Sequence, residues 1–77
     1  MASRLALKYD REGDILYIRS RPPYPEQETE EFGDDIIARL NPETGQVESL
    51  EVLFFSTRLL HGGLCELPVT ADLYPAK

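Results

Sequence analysis

Tyr9-Asp10-Arg11-Glu12-Gly13-Asp14-Ile15-Leu16-Tyr17-Ile18 is the stretch on which the fold turns. Just before it, Leu5, Leu7 and Tyr9 alternate with Ala6 and Lys8, the period of two of a half-buried strand. Asp10 suits the first position of a type I turn, and Gly13 the left-handed position of a three-residue hairpin loop. With Asp10 facing Asp14, Tyr9 pairs with Ile15 and Leu7 with Tyr17, and these four side chains make the core face. Leu16 and Ile18 then point to the opposite face. A strand apolar on both faces is expected inside a sheet, with something covering each side.

Further along, Arg21-Pro22-Pro23-Tyr24-Pro25 cannot lie inside a sheet, because proline donates no backbone hydrogen bond. It reads as a stiff, extended connection. Gln27 to Phe32 reads as an edge strand, Gly33-Asp34-Asp35 as a turn and Ile36 to Leu40 as a strand. In Asn41-Pro42-Glu43-Thr44-Gly45 the proline presets a turn and the glycine can take positive φ. Val47 to Phe55 returns antiparallel, with Leu50, Val52 and Phe54 facing one way and Leu53 and Phe55 the other. Val47 is out of phase with Leu50, which predicts a bulge near Glu48 and Ser49. Ser56 is placed to cap a helical turn through Thr57-Arg58-Leu59-Leu60, closed by Gly62 and Gly63. Leu67, Val69, Ala71 and Leu73 alternate with Pro68, Thr70 and Asp72, which reads as a last strand.

The expected fold is mainly β, with a small α+β arrangement as its variant. It is an antiparallel sheet of five or six strands built from two hairpins, with one short helical turn. Residues 1–77 form one domain in this reading: a sheet over 1–55, a helical turn and hinge over 56–63, and a strand-like tail over 64–77.

Tyr9 to Ile18, followed by Asn41-Pro42-Glu43-Thr44-Gly45 and Leu50-Glu51-Val52-Leu53, resembles a family of small prokaryotic domains of unknown function, DUF2283. The resemblance runs from about position 5 to position 55 and supports the strand order. Ser49 stands where the family often has glycine, Ile15 where it often has alanine, and the tail is longer than the usual family end. The family has no established activity to lend. The resemblance implies one role, that of the smaller, antitoxin-like partner in a toxin–antitoxin-like pair.

A chain of 77 residues leaves little room for a core, since a domain of this size buries only about 60% of its unfolded surface. Small domains draw on disulfides, metals or association to compensate. Cys65 is the only cysteine, so no disulfide forms within the chain, and one cysteine with one histidine, His61, makes a poor structural zinc set. Association is the route that the composition leaves. Fourteen acidic residues against eight basic ones give a net charge of −6, a poor match for nucleic acid phosphates. The opening Met1 to Asp10 is too short and too charged for a secretory signal, and no apolar run reaches the ~20 residues of a membrane span. A cytoplasmic location is expected.

Asp10, Glu12 and Asp14 resemble the start of a calcium loop, but glycine is fourth rather than sixth and position twelve is Arg21. A hairpin turn accounts for all three acids. Glu26, Glu28, Glu30, Glu31, Asp34 and Asp35 form an acidic segment, read either as a docking surface for a basic protein or as a charged edge that resists aggregation. Arg19-Ser20-Arg21-Pro22-Pro23-Tyr24-Pro25 fits a polyproline ligand pattern, which a rigid connection explains equally well. His61 and Cys65 stand four apart with two glycines between them, a spacing too flexible to hold a nucleophile and its base. No catalytic, cofactor-binding or metal-ligating residue is therefore assigned. Leu16, Ile18, Leu53 and Phe55, behind the expected core face, are the candidate self-association surface. The functional expectation is a non-catalytic, self-associating interaction module, a homodimer because so small a core needs a partner. The alternative is a small enzyme or metal-binding subunit whose site forms at a homo-oligomer interface.

Overall fold

The computed structural model describes residues 4–76; expectations that rest on Met1 to Ser3 or on Lys77 lie outside the described residues. The protein is mainly β, with five strands in one antiparallel sheet and one short helix. The strands are β1 (Ala6–Asp10), β2 (Ile15–Arg19), β3 (Glu28–Glu31), β4 (Ile36–Leu40) and β5 (Val47–Leu53), followed by α1 (Phe55–Gly62). Their order across the sheet is β1-β2-β5-β4-β3. Tight turns join β1 to β2, β3 to β4 and β4 to β5. The proline-rich connection after β2 must pass the ends of β5 and β4 to reach β3 at the far edge.

The first hairpin sits one residue away from its expected register. Tyr9 pairs with Leu16 and Leu7 with Ile18, while Asp10 pairs with Ile15. The loop has four residues, and Asp14 (φ 54°), not Gly13, takes the left-handed conformation. Aspartate tolerates that region better than most residues, and here its carboxylate is put to use. A one-residue slip flips every side chain. Leu16 and Ile18 thus join the core face beside Val52 and Leu50, and Ile15 and Tyr17 move to the other face with Leu53.

Ile36, Ala38, Leu40, Leu50 and Val52 form the buried core, with Leu16, Ile18, Phe32, Phe55, Cys65, Leu67 and Val69 packed against it. Burying each large branched side chain contributes about 1.5–3 kcal/mol, so the two central strands β4 and β5 carry most of this stabilisation. Leu40 pairs with Val47 and Arg39 with Ser49, leaving Glu48 as the extra residue of the expected bulge. The second turn closes as its residues imply: Asn41 Oδ1 accepts from the Glu43 and Thr44 amides, and Gly45 takes φ 76°.

The helix is longer than the expected single turn, and Ser56 is not its cap. Phe54 holds the N-cap position at φ 54°, and Gly63 (φ 68°) ends the helix. Beyond it the described residues of the tail form no strand. Cys65, Leu67 and Val69 pack on the sheet, with a tight turn at Pro68 closed by Val69 N–H donating to Leu67 O at 2.8 Å. Leu73 and Tyr74 are exposed. Pro68 removes one backbone donor, and the packing of alternate side chains does not require a strand partner.

Candidate functional site

Two carboxylates organise the two sides of the sheet. Glu48 leaves the ladder at the bulge, so its side chain is free to turn toward the connection between β2 and β3. Its Oε1 accepts from the Tyr24 hydroxyl at 2.6 Å and from Gln27 Nε2 at 3.0 Å. Its Oε2 accepts from Asn41 Nδ2 at 3.2 Å and from Arg21 Nη1 at 3.3 Å. The residue is buried, and a buried carboxylate persists only when its lone pairs are matched in this way. The Tyr24 hydrogen bond, then those of Gln27 and Asn41 with the Arg21 charge, outweigh the opposing effect of burial and hold its pKa down to about 2. Tyr24 is pushed up in return, chiefly by donating to Glu48. The Arg21 guanidinium lies 4.5 Å from the centre of the Tyr24 ring. Thus Arg21 and Tyr24 of the proline-rich segment are used to fasten it to the sheet.

Asp14, half-buried, does the corresponding work at the other side. Its Oδ1 accepts from the Tyr9 hydroxyl at 2.6 Å and from the Ser56 amide at 2.9 Å. Its Oδ2 accepts from the Ser56 hydroxyl at 2.8 Å. The bond from Tyr9, then those from Ser56, lower the Asp14 pKa, and Tyr9 is raised by the same bond. A carboxylate from a distant turn therefore satisfies a first-turn amide that α1 cannot satisfy itself. The Tyr9 and Phe55 rings meet edge to face, 5.9 Å apart at 61°.

This latch holds α1 near β1 without covering it. Leu5 (51% exposed), Leu7 (64%) and Tyr9 (43%) lie on the core side of β1, yet the tail and helix leave them open. The backbone of β1 is open too. In antiparallel pairing the N–H and C=O of one residue point to the same side, and successive residues alternate. Leu53 N–H donates to Asp35 O, and Ser20 N–H to Glu48 O. Ser49, Glu51 and Leu53 of β5 therefore bond to β4, even residues of β2 bond to β5, and Ile15, Tyr17 and Arg19 bond to β1 through Asp10, Lys8 and Ala6. Leu7 and Tyr9 are left with their amides and carbonyls facing outward, and Leu5, just before the strand, continues their alternation. Two shallow hollows border the same strand, one lined by residues that include Lys8, Asp10 and Tyr17, the other by Arg4, Arg19 and Arg21 among others.

The acidic segment lies at the opposite edge. By register, Glu28 and Glu30 fall on the core side of β3 with Leu40 and Ala38, and Glu31 falls on the other side with Ile37. All are exposed, as are Glu26, Asp34 and Asp35. The expected self-association residues do not share a surface: Leu16, Ile18 and Phe55 pack against the core, and half-buried Leu53 lies on the other face. The reason is the one-residue register shift together with the reversal at Phe54. His61 and Cys65 serve separate ends, His61 Nδ1 lying 2.8 Å from Thr57 O and Cys65 packing on the core. Among the described residues no group of three His, Cys, Asp or Glu side chains gathers as a metal site, and no helix is long and apolar enough to cross a membrane.

Sequence reasoning missed both anchors. The phase break between Val47 and Leu50 marked the bulge, but the donors to Glu48 come from a connection whose path is tertiary. Asp14 was read as a turn residue, and nothing local links it to Ser56.

An antiparallel five-stranded domain with an open strand at one edge is the class that this geometry defines. The model of the family described as "Protein of unknown function (DUF2283)" matches residues 6–56, from the first strand to the start of the helix. The chain belongs to that family. No curated protein and no solved structure matches it.

Proposed function

We propose that the protein is a non-catalytic protein-interaction module that self-associates, and that β1 is its binding edge. The observation that carries this reading is the combination, on one edge strand, of outward backbone groups and exposed apolar side chains at Leu7 and Tyr9, with exposed Leu5 just before them. Unpaired backbone on an edge is a template for another strand, and apolar side chains beside it supply the burial that makes such pairing favourable. Both carboxylates with lowered pKa values support the non-catalytic reading. Glu48 and Asp14 are held ionised by donors of their own chain, whereas a general acid needs its pKa raised toward neutrality.

Sedimentation equilibrium at micromolar concentration tests the proposal. The wild-type chain is expected to sediment as a homodimer. Leu7→Lys, which places a charge on a residue already 64% exposed, is expected to give a folded monomer with an unchanged circular dichroism spectrum. A wild-type monomer, or a dimer indifferent to Leu7→Lys, would contradict it.

A further inference from the structure

The geometry points to one particular occupant of the β1 edge: the β1 strand of a second copy, running antiparallel about a two-fold axis through Leu7, so that two sheets join into one of ten strands. The inference rests on the self-association reading above and specifies its register. Outward residues of one copy must meet outward residues of the other, which confines an antiparallel partner to registers that pair Leu5, Leu7 and Tyr9 among themselves. Charge then selects among them. Centring the axis on Ala6 sets Arg4 opposite Lys8 of the partner subunit, and centring it on Lys8 sets the two Lys8 side chains against each other. Like charges directly opposite are destabilising. Shifts beyond these leave only the ends of β1 overlapping.

Centring on Leu7 gives the longest overlap with no such clash. Leu7 meets Leu7 of the partner subunit, and Leu5 meets Tyr9 of the partner subunit. Lys8 faces Ala6 of the partner subunit. Arg4 faces Asp10 of the partner subunit, and by symmetry this pair occurs twice. Among the described residues Asp10 uses only its Oδ1, which accepts from the Glu12 and Gly13 amides at 3.2 and 3.4 Å. The apolar strip extends onto the helix, because Tyr9 touches Phe55 and Leu59 lies four residues on along the same helix face, 37% exposed. The closed two-fold also ends growth of the sheet, since the edges left outside are two copies of β3 with their glutamates.

Single cysteines in a Cys65→Ser background, treated with a short bismaleimide, read the register. Leu7→Cys is expected to cross-link to itself, because directly bonded residues lie about 5.5 Å apart at Cα. A mixture of Leu5→Cys and Tyr9→Cys chains is expected to cross-link to each other more than either does to itself. Arg4→Glu should weaken the dimer by about threefold to tenfold. A dimer that Leu7→Lys dissociates, but that cross-links best at Leu5 or Tyr9 with itself, would overturn this register and leave the interaction reading intact. A salt-sensitive open-ended polymer linking β1 to β3 would likewise overturn it. A dimer untouched by Leu7→Lys would overturn both.

Discussion

The two edges of this sheet treat the same problem in opposite ways. β3 is four residues long and carries Glu28, Glu30 and Glu31. A second strand of its kind is repelled, and the proline-rich connection beside it is fastened to buried Glu48. β1 carries one lysine and an aspartate at its end, presents Leu7 and Tyr9, and is steadied from outside by half-buried Asp14. Edge strands are ordinarily protected by charge, shortness or cover. That one edge has this protection and the other lacks it is the ground on which β1 is proposed as the pairing edge.

The largest effect is expected where the protected edge is anchored. Glu48→Ala removes the acceptor shared by Arg21, Tyr24, Gln27 and Asn41, leaving their donors without a partner. It should lower the melting temperature more than any other substitution named here. The pH dependence follows from the depressed pKa. The contribution of Glu48 is complete above the ordinary glutamate value of 4.5 and is lost as pH falls through about 2. Acid titration by circular dichroism should show stability falling in that window, with the fall reduced in Glu48→Gln.

Next in size is the cover of the core face. Leu67→Asp puts a charge where the tail packs on the sheet and should cost about 2 kcal/mol or more in denaturant unfolding. It would also extend the open apolar surface inward from β1, so soluble aggregates should accompany the loss. A smaller effect is expected at the Asp14 latch. Asp14→Ala should lower the melting temperature less than Glu48→Ala, speed hydrogen exchange at the Ser56 amide, and return the Tyr9 hydroxyl toward the ordinary value of 10.0 on spectroscopic titration. The smallest effect belongs to the acidic edge. Replacing Glu28, Glu30 and Glu31 by lysine should change stability by no more than about 0.5 kcal/mol and leave self-association unaltered.

How far the sequence reaches follows from the same contrast. β4 was legible to the residue, because Gly33-Asp34-Asp35 and Asn41-Pro42-Glu43-Thr44-Gly45 bracket its apolar run with turn chemistry. The bulge was legible as a break of phase between Val47 and Leu50. The first hairpin was misread by one residue because Gly13 is the obvious left-handed residue and Asp14 is not. The carboxylate of Asp14 is bonded by Ser56, forty-two residues away. That single step exchanged the faces of β2 and moved Leu16 and Ile18 of the expected association surface into the core. The exposure of β1 was hidden for a related reason: alternation shows which side chains share a face, but not how far the tail and helix extend to cover it.

Amide hydrogen exchange followed against protein concentration tests the contrast between the edges most directly. By the pairing of the strands, Leu7 and Tyr9 carry the outward amides of β1, and Thr29 and Glu31 those of β3. As concentration rises through the micromolar range, exchange at Leu7 and Tyr9 should slow at least tenfold while Thr29 and Glu31 remain fast. Protection that stays absent at Leu7 and Tyr9, or that grows at Thr29 and Glu31 instead, would contradict the assignment of β1 as the binding edge.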